Sequence, residues 1–146
     1  KTKAGSANKV GSWLVRGGEI DLSEGIVKIT PNSKNGPSLI RNGMQLSGPA
    51  TVNMTIKSTA DKPIKLHWRL ENEKSFASKN QLAIPVEKTT QWQTLSVEIP
   101  SSKEVIHVRF NLPAASIQFK SLELSPSQGK LIQLPTSKGA AADDGK

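Results

Sequence analysis

Hydrophobic and polar residues alternate through most of this chain with a period of two, and no stretch holds a helical period. In "ATVNMTIKS", Val52, Met54 and Ile56 alternate with Asn53, Thr55 and Lys57. In "PIKLHWRLE", Ile64, Leu66, Trp68 and Leu70 alternate with Lys65, His67 and Arg69. "NQLAIPV", "QTLSVEIP" and "VIHVRFNLP" repeat the pattern, the last placing Ile106, Val108, Phe110 and Leu112 together. "SIQFKSLEL" puts Ile117, Phe119, Leu122 and Leu124 on one face only if parity changes near Lys120, which predicts a β-bulge there. "SWLV", "GEIDL", "GIVKIT" and "SLIR" supply earlier strands, with turns expected at "PNSKNGP" and "NGM". Gly, Pro, Asn or Ser punctuates the chain about every 8 to 12 residues, the spacing of an all-β sandwich or barrel. Clean alternation means that each sheet buries one face and wets the other. The expected fold is therefore all-β, a two-sheet antiparallel jelly-roll β-sandwich. It is expected over residues 12–136, after a linker over 1–11 and before a flexible tail over 137–146.

Composition narrows the chemistry. The 146 residues suit one domain, large enough to fold without a metal or disulfide. With no cysteine, thiolate nucleophiles and thiolate metal sites are excluded. The net charge is +8; Lys1, Lys3 and Lys9 carry three of these charges and the last ten residues cancel, which leaves +5 on residues 10 to 136. That bias favours anionic partners but falls short of the clustered charge that nucleic acid requires. No apolar run approaches the roughly 20 residues of a membrane span, and the opening residues carry no apolar h-region, so a mature or excised segment is expected.

No catalytic motif is present: there is no GxSxG, HExxH, Walker loop or GxGxxG. The expectation is a protein that is not an enzyme by itself; a catalytic reading would need Glu19, Asp21 or Glu24 to converge in a cleft. The constellation that stands out is His67-Trp68-Arg69 and His107-Val108-Arg109. Within each pair, residues two apart share the wet face of a strand. If the two strands are neighbours, the four side chains form a square of roughly 5 Å by 7 Å, extended along one strand by Lys65. Such a patch is either an ordinary solvated sheet face or an anion-recognition floor. Arginine forks match carboxylate or sulfate bidentately, and histidine becomes a stronger donor when it protonates below about 6.5. Sugar binding also needs an aromatic face, for which Trp92 or Trp13 is a candidate. Strict alternation sets Trp92 on the wet side with Thr94, Ser96 and Glu98, yet a ring at a strand entrance can also lid the core. A zinc site at the two histidines is disfavoured by the flanking arginines and the lack of a nearby acid.

Several segments also resemble a known family. "W-Q-x-L-x-V-x-I-P", from Trp92 to Pro100, resembles a strand of jelly-roll, galactose-binding-like carbohydrate-binding modules. "GEIDLSEGIVKIT" is similar to their beginning and "HVRFNLPAASIQFKSLELSP" to their final two strands. "IKLHWRLENEKSF", with Trp68, Arg69 and Phe76, resembles accessory modules attached to sulfatases of marine polysaccharide-degrading bacteria. The resemblance covers about residues 12 to 126. It implies a non-catalytic carbohydrate-binding module that targets an appended enzyme to an anionic or sulfated polysaccharide, outside the cell or in the periplasm. The ligand-binding residues expected are His67, Arg69, His107, Arg109, Lys65 and Trp92, with no cofactor. Many such modules hold a structural calcium between an early acid and a last-strand aspartate; here that last-strand position is Lys120 or Ser121, which argues against the ion even though Glu19, Asp21 and Glu24 could offer oxygens. The alternative is a structural sandwich that packs on a catalytic domain and binds no ligand.

Overall fold

The computed structural model describes residues 9–32 and 34–136; the expected linker therefore lies outside the described residues over 1–8, and the expected tail over 137–146 does too. Twelve strands form two antiparallel sheets, and the described residues contain no helix. In spatial order the first sheet is β1 (Lys9–Val10), β2 (Trp13–Arg16), β5 (Ser38–Leu46), β10 (Val105–Asn111), β7 (Ile64–Leu70) and β8 (Gln81–Ile84). The second is β3 (Gly18–Ser23), β4 (Ile26–Pro31), β11 (Ile117–Ser125), β6 (Ala50–Ser58) and β9 (Thr89–Ile99), with β12 (Ile132–Gln133) paired to β11. The crossovers between sheets make a jelly-roll β-sandwich. The last part of the expected linker is an edge strand instead: Lys9–Val10 pairs with β2, and Val10 is buried.

The period-two pattern selects the core. Val52, Met54 and Ile56 from β6 meet Leu66, Trp68 and Phe110 from the other sheet in one continuous buried cluster. Trp13 lies at its heart, fully buried, 6.4 Å from the Phe110 ring centroid, with its Nε1 donating to the Gln133 carbonyl at 3.2 Å. The bulge read from parity is present: Phe119 pairs with Ile56 and Ser121 with Thr55, so Lys120 is the extra residue and Leu122 and Leu124 return to the core.

Two local expectations are corrected. Asn42 and Gly43 do not form a turn; β5 runs through them from Ser38 to Leu46, because Gly43 takes a φ of 65° inside the strand and absorbs an irregularity opposite β10. The β10 partner of that irregularity changes the second expectation. Val105 pairs with Leu70 and His107 with Arg69, leaving Ile106 as the extra residue. Val105 takes the core position assigned to Ile106, which is only half-buried. The shift falls before His107, which pairs with Arg69 in the same register that joins Val108 to Trp68 and Arg109 to His67.

Candidate functional site

The strands of the first sheet gather the arginines and histidines of the chain. All four arginines, Arg16, Arg41, Arg69 and Arg109, and both histidines are on its strands. β10 and β7 are hydrogen-bonded neighbours in a register that sets His107 against Arg69, Arg109 against His67 and Asn111 against Lys65. Each histidine thus faces an arginine, and the square expected from strand spacing forms with Lys65 at its end. Alternation keeps the partners Leu66, Trp68, Val108 and Phe110 in the core, so the same strands build both core and patch. Among the described residues no carboxylate forms an ion pair with these cations.

An aromatic ring covers the patch, and it is neither of the tryptophans proposed from sequence. Phe76, carried by the β7–β8 connection, stands 4.6 Å from the His107 ring and 6.4 Å from His67 by centroids. The Arg109 guanidinium carbon lies 4.6 Å from its centroid, a cation–π contact. The connection is stapled in place. The Glu73 carboxylate accepts from the Leu70 amide at 3.0 Å and from Asn80 Nδ2 at 2.8 Å, and Arg69 Nη1 donates to the Glu73 carbonyl at 2.7 Å. Beneath the ring, His107 Nε2 and Arg109 Nε are buried without a hydrogen-bond partner. Such atoms cost free energy until an acceptor or donor reaches them.

Trp92 is not brought to this patch. It sits on β9 in the other sheet, half-buried on the outward face. Lys57 Nζ lies 4.5 Å from its ring centroid, and Lys120 Nζ, pushed out by its bulge, lies 5.6 Å away. The jelly-roll crossovers send β9 and β10 to opposite sheets, so nearness in sequence misleads. Trp13 is equally excluded, since its ring is core. Phe76 was missed as a site residue because a lone aromatic in a polar loop carries no periodicity; its one sequence signal was its place after Trp68 and Arg69. The acids of the catalytic reading do not form a cleft pair with the patch: Glu19 and Asp21 are exposed on edge strand β3 and Glu24 follows in its turn. Among the described residues no three His, Cys, Asp or Glu side chains group as a metal site requires.

Both histidines titrate below the ordinary imidazole range. For His67 the main cause is burial, then the charges of Arg109 and Lys65. For His107 it is burial, then Arg69, Arg109 and Arg16. The unfolded chain therefore takes up protons near pH 6.5, where the folded chain does not. Between 6.5 and the lowered folded values stability rises with pH, so it is lost as the pH falls through 6.5. These are the chain's only histidines. Urea melts between pH 7.5 and 5.5 are expected to show a falling midpoint, and the fall should vanish in the double variant His67→Gln/His107→Gln. An unchanged slope in that variant would assign the effect to carboxylates.

No protein-family model and no curated protein matches the chain. Solved structures do resemble it. A CBM4 structure superposes with a TM-score of 0.55 at 19% identity, covering 79% of this chain and 86% of that one. A mutant of a carbohydrate binding module of family 29 gives 0.60 at 11% identity, covering 82% and 87%. The CBM22-1–GH10 portion of xylanase Xyn10B from Clostridium thermocellum, complexed with xylohexaose, gives 0.59 at 9% identity over 80% of this chain and 26% of that chain. At these identities the likeness establishes the shared jelly-roll sandwich.

Proposed function

We propose that this chain is a non-catalytic carbohydrate-binding module and that the outward face of the first sheet holds an anionic polysaccharide. The observation that carries this reading is the Phe76 ring seated on His107 and Arg109, with His67, Arg69 and Lys65 around it. A ring gives the apolar side of a sugar a surface to stack on, while the guanidinium forks receive sulfate or carboxylate groups. The buried, unpartnered Arg109 Nε is a donor that such a group would satisfy once the Phe76 ring moves aside. The lack of a neutralising carboxylate selects anionic over neutral glycans, because a bound anion meets uncompensated charge. Solved structures with this fold are described as carbohydrate binding modules, one of them joined to a GH10 module, which supports a role beside a catalytic domain. The sequence resemblance points to a sulfatase as that neighbour and to an extracellular or periplasmic setting.

Affinity electrophoresis of the chain through gels containing sulfated, carboxylated or neutral polysaccharides tests the reading. Retardation by a sulfated polymer that persists at about 0.15 M salt is expected. Retardation by every polyanion that disappears at that salt would reduce the patch to a basic surface. Retardation by none would leave a structural sandwich.

A further inference from the structure

A second cationic feature lies on the same sheet, beside the patch. Arg41 in β5 stands opposite Trp13 and Val108, two core residues, and is only 7% exposed. A charge in that position is costly unless paired. Its Nη1 donates to the Asn42 carbonyl at 2.6 Å, but its Nε is buried with no partner, and among the described residues no carboxylate pairs with it. A guanidinium has five N–H donors, and a single carbonyl leaves most of them unused.

Arg41 lines a pocket of about 380 Å³ at the end of the sheet, with Lys9 from β1, Ser12 from the β1–β2 turn, and Asn42 and Gly43 from the irregular part of β5. Among the described residues two cations and no acidic residue contribute to its wall. Gly43 keeps the β5 side open: a Cβ there would meet nothing within 4 Å. The local chain path explains how the pocket arises. The left-handed Gly43 breaks the strand's alternation just after Arg41, at the end of the sheet where the short β1–β2 hairpin closes.

We propose that this pocket is an oxyanion-binding subsite, taking one sulfate, phosphate or carboxylate group between Arg41 and Lys9. The group comes either from solution or from a substituent of a polymer lying on the patch. The second source rests on the function proposed above; the subsite itself does not. Asn42 pairs with His107 across adjacent strands, so a polymer on the patch has one strand spacing, about 5 Å, to cross.

The test follows the arginine Nε–H resonances of the full chain by NMR during titration with sodium sulfate, against sodium chloride at equal ionic strength. The expected result is a saturable shift at the Arg41 Nε–H and at the Asn42 and Gly43 backbone amides with sulfate alone, the amide shifts being lost in Arg41→Gln and the affinity weakened at least fivefold in Lys9→Ala. A shift that is linear and equal for chloride, or equal at all four arginines, overturns the subsite. Should Arg41→Gln fail to fold, Lys9→Ala decides: an unchanged sulfate affinity counts against the pocket. Titration with a sulfated galactan identifies the source. Movement of Arg41 in the wild type but not in Arg109→Ala makes the anion a substituent of a polymer held on the patch. Saturation by free sulfate with no response to the galactan makes it a free anion, and then the subsite stands while the reading of the patch fails.

Discussion

Replacing Arg109 with alanine is expected to weaken binding of a sulfated polysaccharide about ten- to a hundredfold. Arg109 is central on β10, between β5 and β7, with His67 across from it and Phe76 over it. Its Nε has no hydrogen-bond partner, so a bond made to an anion replaces no other hydrogen bond once the Phe76 ring moves aside. Hydrogen bonds to charged groups contribute about 1.5–3 kcal/mol, which is that range of affinity. Arg109→Lys keeps the charge and loses the fork, and should recover only part of the loss. A second readout separates recognition from general basicity. Arg109 is one of the charges depressing both histidines, so its removal should raise the titration midpoints of His67 and His107 by NMR. Full retention of binding, with the histidines shifted as expected, would show the variant folded and the arginine irrelevant to the ligand. Phe76→Ala is the companion variant: it removes the stacking surface while leaving every cation in place.

Trp13→Ala is expected to destabilise the fold by about 3–5 kcal/mol, the range for large aromatic truncations in a core. That is a large share of the roughly 5–15 kcal/mol by which domains are stable. Trp13 is fully buried against Phe110 and ties β12 to the body of the sandwich through Nε1 and the Gln133 carbonyl. Trp13→Phe keeps most of the packing and abolishes the hydrogen bond, so its cost should be smaller, about 1–2 kcal/mol. Urea unfolding followed by far-ultraviolet circular dichroism measures both, and the slope should stay constant if only the native state is affected. A loss below about 1 kcal/mol for Trp13→Ala would mean that β2 contributes little to the core.

The chain's alternation settles more than its fold class. Val52, Met54 and Ile56, then Leu66, Trp68 and Leu70, face inward because a strand has only two faces and water is on one of them. The same rule puts His67 with Arg69 on the outside, and the bulge at Lys120 is visible because the apolar positions of β11 skip a beat there. Local sequence thus fixed which residues share a strand face. It did not reveal which strands are neighbours, since that is set by crossovers between sheets. His107 reaches Arg69 only because β10 docks beside β7. Trp92, close to β10 in sequence, is carried to the opposite sheet by the same topology. Phe76 has no periodic partner in the sequence; a loop stapled by Glu73 and Asn80 delivers it to the patch. Arg41 belongs to an inward-facing position by parity, and only the packing of the β1–β2 hairpin against the glycine break in β5 makes it the wall of a pocket. Face is a local property of a strand, whereas neighbourhood, loop placement and concavity depend on contacts between residues far apart in the chain.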